Sequence, residues 1–402
     1  MNSAALAESR QRIGFLYLNI GHFLDHLFIL IFATVAALRL ADEWGMTYGE
    51  LIPYATPGFV AFGVCAIPAG WLADRWSREG MMAVFFIGIG ICAVLSGLAS
   101  TPFQIALTLT AVGVFAAIYH PVGLAMVVEG RSKTGVALAI NGVFGNMGVA
   151  VAALLTGYLI DTAGWRSAYF VPGAFSIAVG VGYLMFIRNP AAAAIPETAK
   201  KTVSTSDGAP TIDRNTLLRV FALVLFTTAI GGLVFQSTTF SLPKIFDERL
   251  TDIAGTATMV GWYAFLAFSI AAFAQLVVGY LIDNHSLRAV FAVVALSQAA
   301  LFFAMTHLDG WLSLVVAIGF MLAVFGQIPI NDVLVGRIAR SEWRSRAYAM
   351  RYIVTFSVSA SAVPVIAWVH SARGFSALFE ILTVSAFIIF VAVLFLPDTR
   401  KL

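Results

Sequence analysis

The stretch Gly70-Trp71-Leu72-Ala73-Asp74 closes one long apolar run, and Gly279-Tyr280-Leu281-Ile282-Asp283 closes another 209 residues later. Three matches at one offset are hard to explain by chance, so the sequence predicts a chain built from two repeated halves. The same offset carries Arg131 to Arg340, and it carries His120 to Pro329, which lies one residue from the counterpart of Pro121.

The composition places these halves in a membrane. The 402 residues are 60% hydrophobic and 11% charged, whereas soluble domains carry about 25% charged residues. Runs of about 20 apolar residues must cross a bilayer as helices, because hydrocarbon cannot hydrogen-bond to a backbone. We therefore predict an all-α membrane protein with twelve transmembrane helices in two six-helix bundles. The predicted spans cover residues 13–38, 50–73, 80–100, 103–128, 134–160, 165–187, 217–242, 256–282, 288–306, 311–336, 346–370 and 375–396.

Basic residues predict which way the spans run. If both termini lie inside, nineteen of the 24 Lys and Arg residues are on the cytoplasmic side, as the positive-inside rule requires. This distribution of basic residues indicates attraction to anionic lipid and not a nucleic-acid-binding surface. We expect a multi-pass protein of the cytoplasmic (inner) membrane, and we interpret 13–38 as a retained span because it is too long for a signal-peptide core. The other five Lys and Arg residues lie in the predicted outer loops and are Arg39, Arg166, Lys244, Arg249 and Arg373.

A polar segment with prolines, residues 189–215, divides the apolar runs six from six and predicts a cytoplasmic linker. The predicted domains are thus an N-terminal bundle, 1–188, and a C-terminal bundle, 216–402. Two related bundles with a cleft between them suit alternating access.

Catalytic signatures are missing from the sequence. Cys65 and Cys92 lie inside apolar runs, which excludes a disulfide framework or a zinc site made of cysteines. There is no Walker loop, G-x-S-x-G or H-E-x-x-H motif. We expect no enzyme activity and no cofactor, so an ion gradient must drive any uphill transport.

The stretch from Gly70 to Arg78 resembles the G-x-L-A-D-R-x-G-R signature between spans 2 and 3 of the major facilitator superfamily, with Ser77 in place of a glycine. The resemblance implies a conformational latch, in which Asp74 caps span 11 and Arg75 pairs with Glu129. The alternative is a solvated loop that only sets topology. The residues assigned to the latch are Gly70, Asp74, Arg75, Arg78, Glu129 and Asp283.

Four shorter motifs resemble the fosmidomycin-resistance-type efflux group of that superfamily. This resemblance implies proton-coupled export of a small amphipathic or anionic compound. Span 5 departs from many drug/proton antiporters, because it lacks their Gly-Pro pair. The motifs are Gly21-His22-Phe23-Leu24-Asp25, Tyr119-His120-Pro121-Val122-Gly123, Phe144-Gly145-Asn146-Met147-Gly148 and Thr238-Thr239-Phe240-Ser241-Leu242-Pro243.

Asp25 is the strongest candidate for chemistry. An ionised carboxylate near the middle of span 1 costs on the order of 3 kcal/mol, so it needs water, a partner or a proton. His22 and His26 fall within the same roughly 100° sector of the helix, and a carboxylate between two imidazoles can exchange protons near neutral pH. We predict proton coupling by Asp25, His22 and His26. Alternatives are a structural role, or a metal site that would gain weight if His120 approached the same point.

Other polar residues at membrane depth are candidates for substrate contact. His120 precedes a proline that can kink span 4, but a packing role is equally open. Asn141 and Gln236 could instead join helices. Asp332 and Arg351 could neutralise each other, whereas a free Arg351 would anchor a carboxylate or phosphonate. The predicted substrate-binding residues are Tyr119, His120, Asn141, Gln236, Asp332 and Arg351.

Together these observations predict a monomeric secondary active transporter whose partners are a small-molecule substrate, protons and the lipid bilayer. Proton-coupled export by alternating access is the preferred interpretation. Proton symport of a small organic anion, divalent metal ion transport by the span 1 histidines, and a scaffold or receptor without flux are the alternatives.

Overall fold

The regular structure in the computed structural model is entirely helical across the part it describes, residues 3–129, 134–189, 214–338 and 344–397. This confirms the all-α prediction. Two segments are π-helical, Ala36–Leu40 and Tyr119–Gly123, and Ile52–Ala55 is a 3₁₀ helix. The α-helices are α1 Ser3–Val35, α2 Ala41–Glu43, α3 Tyr48–Leu51, α4 Thr56–Arg75, α5 Arg78–Gly97, α6 Pro102–Ala116, α7 Leu124–Val128, α8 Thr134–Ala163, α9 Ser167–Arg188, α10 Arg214–Arg249, α11 Ala257–Asn284, α12 Leu287–Met305, α13 Gly310–Ile338 and α14 Arg344–Leu394.

Eleven helical segments of the described residues are long and apolar enough to cross a membrane. The last of them, Ile353–Leu394, has 42 residues, about twice the length that one crossing needs. Gly374 interrupts it with φ near 70°, a left-handed conformation that glycine adopts without steric cost. The break falls between predicted spans 11 and 12, so the described helices accommodate all twelve predicted crossings.

Large apolar side chains cover the outer surfaces of these helices. Phe103 and Trp368 are each 72% exposed, and many leucines, valines and phenylalanines are similarly uncovered. A soluble protein does not expose apolar surface on this scale. The helices therefore present their apolar side chains to lipid.

The first compact unit contains the described residues of Met1–Val35 and Tyr54–Val203. Within it α1 packs along α8, α5 along α9, and α4 along α6. Small residues allow these close approaches, as in other membrane helices. A Cβ atom on Gly113 would overlap the carbonyl oxygen of Gly58, and one on Gly148 would overlap the carbonyl oxygen of Phe23.

The second compact unit contains Ala36–Pro53 and the described residues of Ser204–Leu402. Within it α10 packs along α14, α11 along α13, and α12 against both α13 and α14, while α3 rests on α14. Its core is aliphatic and aromatic, with Val220, Ile282, Phe291 and Leu334 almost fully buried.

The two copies of the repeated motif occupy equivalent places, since Asp74 is the penultimate residue of α4 and Asp283 that of α11. Arg131 and Arg340 lie outside the described residues. So does most of the predicted linker, because residues 190–213 are not described. The predicted domain limits therefore stay a prediction.

Gly148→Ala should destabilise the first unit, because the added methyl group overlaps the backbone of α1. We expect a loss of about 1–3 kcal/mol in the free energy of unfolding, seen as a lower thermal midpoint in detergent micelles. Gly142→Ala in the same helix is the matched control, since nothing lies within 4 Å of its Cβ position. Equal midpoints for the two variants would refute the close approach of α1 to α8.

Candidate functional site

The first unit gathers polar side chains around α1. Asp25 is completely buried at 0% exposure, His22 is buried at 7%, and His26 is partly buried. Their i, i+3 and i+4 spacing puts them on one face of the helix. The predicted shared sector of these three residues is therefore present in the structure.

The π-helical segment Tyr119–Gly123 brings a third imidazole to this face. Pro121 has no backbone N–H and cannot continue the α-helical hydrogen bonding, and such wide turns are frequent at functional sites. The ring of Tyr119 stacks on His22 with centroids 4.9 Å apart. The ring of His120 lies 5.5 Å from that of His22 and 5.6 Å from that of His26.

Asn141 of α8 ties this turn to α1. Its Nδ2 donates to the Tyr119 hydroxyl at 2.9 Å and to Asn19 Oδ1 at 3.0 Å. The Tyr119 hydroxyl donates in turn to the carbonyl of Leu18 at 2.8 Å. Tyr119 and Asn141 are both fully buried, so the geometry gives them a supporting role, and their predicted contact with substrate remains a prediction.

Asp25 is a buried carboxyl group with few polar neighbours. Within the described residues, neither carboxylate oxygen has a hydrogen-bond partner. His120 Nε2 lies 3.4 Å from Asp25 Oδ2, within ion-pair distance. Burial of an ionised carboxylate costs several kcal/mol unless it is paired and hydrogen-bonded. A fold that keeps such a group tolerates this cost, which is typical of functional residues inside membranes.

The imidazoles have defined donor and acceptor roles. His22 Nδ1–H donates to the backbone carbonyl of Asn141 at 2.8 Å, because a carbonyl can only accept. His22 Nε2 then carries the lone pair and faces His26 Nε2 at 3.2 Å. One potential ligand atom from each of His22, His26 and His120 lies within 4.8 Å of the others. Such a cluster can share a proton or hold a cation.

A small apolar groove with a volume of about 20 Å³ adjoins these residues. Phe62, which lines it, packs against His120 with ring centroids 5.9 Å apart. Phe28 and Phe32, one and two turns beyond Asp25 on α1, line it as well. This groove was not predicted from the sequence, because its aromatic residues are indistinguishable from lipid-facing ones until the helices are packed.

The second unit holds the other predicted substrate residues. Asp332 of α13 pairs with Arg351 of α14, so the two residues neutralise each other in this structure. Gln236 on α10 is buried at 6% exposure and its Nε2 has no hydrogen-bond partner in the described part of the chain. Asn331 Oδ1 likewise has no hydrogen-bond partner among the described residues, and Asn331 is also buried at 6% exposure.

Gln298 was not anticipated from the sequence. Its Nε2 donates to Gln327 Oε1 at 2.8 Å and to the carbonyl of Ala323 at 3.1 Å. The available signal was a glutamine at the centre of the apolar run 288–306. This pair joins α12 to α13 inside the second unit.

The predicted latch residues meet only in part. Arg78 donates to Asp74 at 2.9 Å and to Glu129 at 3.4 Å, whereas the guanidinium of Arg75 lies over the ring of Trp71. In this structure Arg78, at the start of α5, makes the contact with Glu129, and the predicted pairing of Arg75 with Glu129 stays a prediction. Gly70 packs against Pro121, Asp283 is exposed at the end of α11, and the capping of span 11 by Asp74 stays a prediction.

Comparison with known proteins agrees with this architecture. The family model of the Major Facilitator Superfamily matches residues 18–251 and 245–402. The structure of a bacterial homolog to the human lysosomal transporter Spinster, inward-facing and unoccupied, superposes with a TM-score of 0.72 at 16% identity, over 96% of this chain and 95% of that one. That likeness concerns the fold alone.

Curated relatives match a smaller part of the chain. Puromycin resistance protein pur8 of Streptomyces alboniger is 29% identical over 40% of this chain and 34% of its own length. The gallate transporter of Pseudomonas putida is 24% identical over 36% and 32%. The probable sulfoacetate transporter SauU of Cupriavidus necator is 23% identical over 39% and 37%. The chain thus matches about a third of the length of these relatives.

Tyr119→Phe should destabilise the first unit, because it removes the hydroxyl that joins α1 to Asn141. Leaving buried partners unsatisfied costs about 1–3 kcal/mol, so the thermal midpoint should fall. Tyr158→Phe, at a side chain that is 51% exposed, is the control and should leave the midpoint unchanged. An unchanged midpoint for Tyr119→Phe would remove the support for this hydrogen-bonded hub.

Proposed function

This chain belongs to the Major Facilitator Superfamily, so it is a multi-pass membrane transporter and not an enzyme, and we propose that it exports a small amphipathic or anionic compound in exchange for protons. The observation that carries the proposal is the fully buried Asp25 beside three imidazoles. We also propose that the protein is a monomer in the inner membrane with both termini in the cytoplasm. We further propose that it is related to the fosmidomycin-resistance-type group and works by alternating access.

The surroundings of Asp25 support the proposed proton exchange. Its oxygens lack hydrogen-bond partners within the described residues, so the buried carboxyl group is stabilised either by binding a proton or by His120 at 3.4 Å. A proton that moves between Asp25 and His120 changes the charge of both groups without exposing either one to lipid. Such a pair is suited to couple an ion gradient to a change of state.

The surfaces that each unit offers support the proposed substrate class. In the first unit, the groove lined by Phe28, Phe32 and Phe62 provides apolar surface beside the imidazoles. In the second unit, Arg351 pairs with Asp332, and a carboxylate, sulfonate or phosphonate could take the place of that partner. The names of the relatives include two anionic compounds, gallate and sulfoacetate, and one amphipathic antibiotic, puromycin.

Export is the proposed direction, and uptake by proton symport is the alternative. The resistance protein of Streptomyces alboniger favours export. An imposed gradient separates the two, because an antiporter accumulates substrate on the acidic side and a symporter on the alkaline side.

Asp25→Asn should abolish the dependence of transport on a pH gradient, since an amide of similar shape cannot exchange the proton. The assay is uptake of labelled gallate, sulfoacetate or puromycin into proteoliposomes under an imposed gradient. We expect uphill accumulation to vanish while counterflow of substrate remains. Glu380→Gln, at an exposed carboxylate in α14, is the control. Uphill accumulation by Asp25→Asn would exclude this residue from coupling.

Arg351→Lys should weaken the binding of an anionic substrate at least about tenfold, because lysine keeps the charge but loses the planar fork that holds a carboxylate with two hydrogen bonds. Binding is followed by the rise in thermal midpoint with substrate concentration. Arg373→Lys, at an exposed position, is the matched control. Equal affinities for Arg351→Lys and the unsubstituted protein would show that Arg351 does not hold the anion.

A further inference from the structure

Three imidazoles meet in the first unit from two separate parts of the chain. His22 and His26 are one turn apart on α1, and His120 arrives from the π-helical segment Tyr119–Gly123. One potential ligand nitrogen from each lies within 4.8 Å of the others. We propose that His22, His26 and His120 form a binding site for a divalent transition-metal ion, of which Zn²⁺ fits best. This inference does not depend on the proposed direction of transport or on proton coupling.

The spacing of the first two ligands already suits zinc. Zinc binds histidine nitrogen at about 2.0–2.1 Å, so two ligands in a tetrahedral site lie about 3.3 Å apart. The distance between His22 Nε2 and His26 Nε2 is 3.2 Å. The ligand atom of His120 lies within 4.8 Å of the other two, so it has to come about 1–2 Å closer to complete a three-histidine site. The fourth position would be open to water or to a ligand group.

Outer partners already orient two of the three rings. His22 Nδ1–H donates to the carbonyl of Asn141 at 2.8 Å, which leaves Nε2 as the ligand atom. His120 Nε2 lies 3.4 Å from the carboxylate of Asp25, and a proton donated there would leave Nδ1 with the lone pair. Carbonyl and carboxylate partners of this kind are characteristic of histidines that bind metals.

The surroundings also favour a cation and select its class. The fully buried Asp25 supplies a negative charge next to the ring of His120, and the stacked ring of Tyr119 limits the movement of His22. Imidazole nitrogen suits Zn²⁺ and its transition-metal neighbours, whereas Mg²⁺ and Ca²⁺ require oxygen ligands. The inferred site should therefore discriminate strongly between Zn²⁺ and Mg²⁺.

The test is calorimetric titration of the purified full chain, without a histidine tag, with ZnCl₂ in detergent micelles. We expect saturable binding at one ion per chain, and no binding of MgCl₂. His26→Ala should weaken zinc binding at least tenfold. His307→Ala, at an exposed histidine outside the cluster, should bind zinc as the unsubstituted protein does. Absence of saturable binding, or equal affinity for His26→Ala, would overturn the proposal.

A second pair of variants tests the geometry while keeping all three histidines. A Cβ atom on Gly145 would lie 2.6 Å from His22 Nε2, so Gly145→Ala should displace that ring and weaken zinc binding at least tenfold. Gly142→Ala has open space around its Cβ position and should leave the affinity unchanged. Equal affinity for both variants would overturn the proposed site. Zinc binding and the transport assay with Asp25→Asn are independent measurements, so a negative result in one leaves the other proposal standing.

Discussion

The first unit depends on the cost of keeping the carboxylate of Asp25 in apolar surroundings. Helix α1 offers the Asp25 carboxyl group no hydrogen-bond donor. Among the described residues only His120 approaches this group within ion-pair distance. His120 in turn reaches α1 because Pro121 widens the local winding, and Asn141 fixes the neighbouring Tyr119 to α1. Close packing of α8 on α1 at Gly145 and Gly148 makes that network possible. The buried Asp25, the π-helical segment that carries His120, and the glycines of α8 therefore depend on one another.

The fold could be predicted because the membrane leaves few choices. Long apolar runs, basic loops and one repeat offset were sufficient for twelve spans in two halves, and the break at Gly374 falls where two spans were separated. The limits of elements were less predictable. The π-helical segments at Ala36–Leu40 and Tyr119–Gly123 have no hydropathy signal, since they depend on local winding rather than on composition.

The site was predicted better along one helix than between helices. The shared face of His22, Asp25 and His26 follows from helical periodicity alone. The meeting with His120 does not, because it depends on how span 4 is wound and packed. The same reason explains why Arg78, and not Arg75, contacts Glu129, and why the pair Gln298 and Gln327 was not foreseen. Which side chains of neighbouring helices contact each other depends on helix packing, and one sequence does not reveal that packing.

The π-helical segment Tyr119–Gly123 has a consequence for motion. A π turn holds about one residue more than an α turn, so unwinding it by one residue would rotate everything on one side of it by roughly 100°. Such a rotation would carry the His120 ring away from α1 while the rest of the helix kept its length. A return of this segment to α-helical winding would therefore separate the imidazoles by a rotation within a single helix.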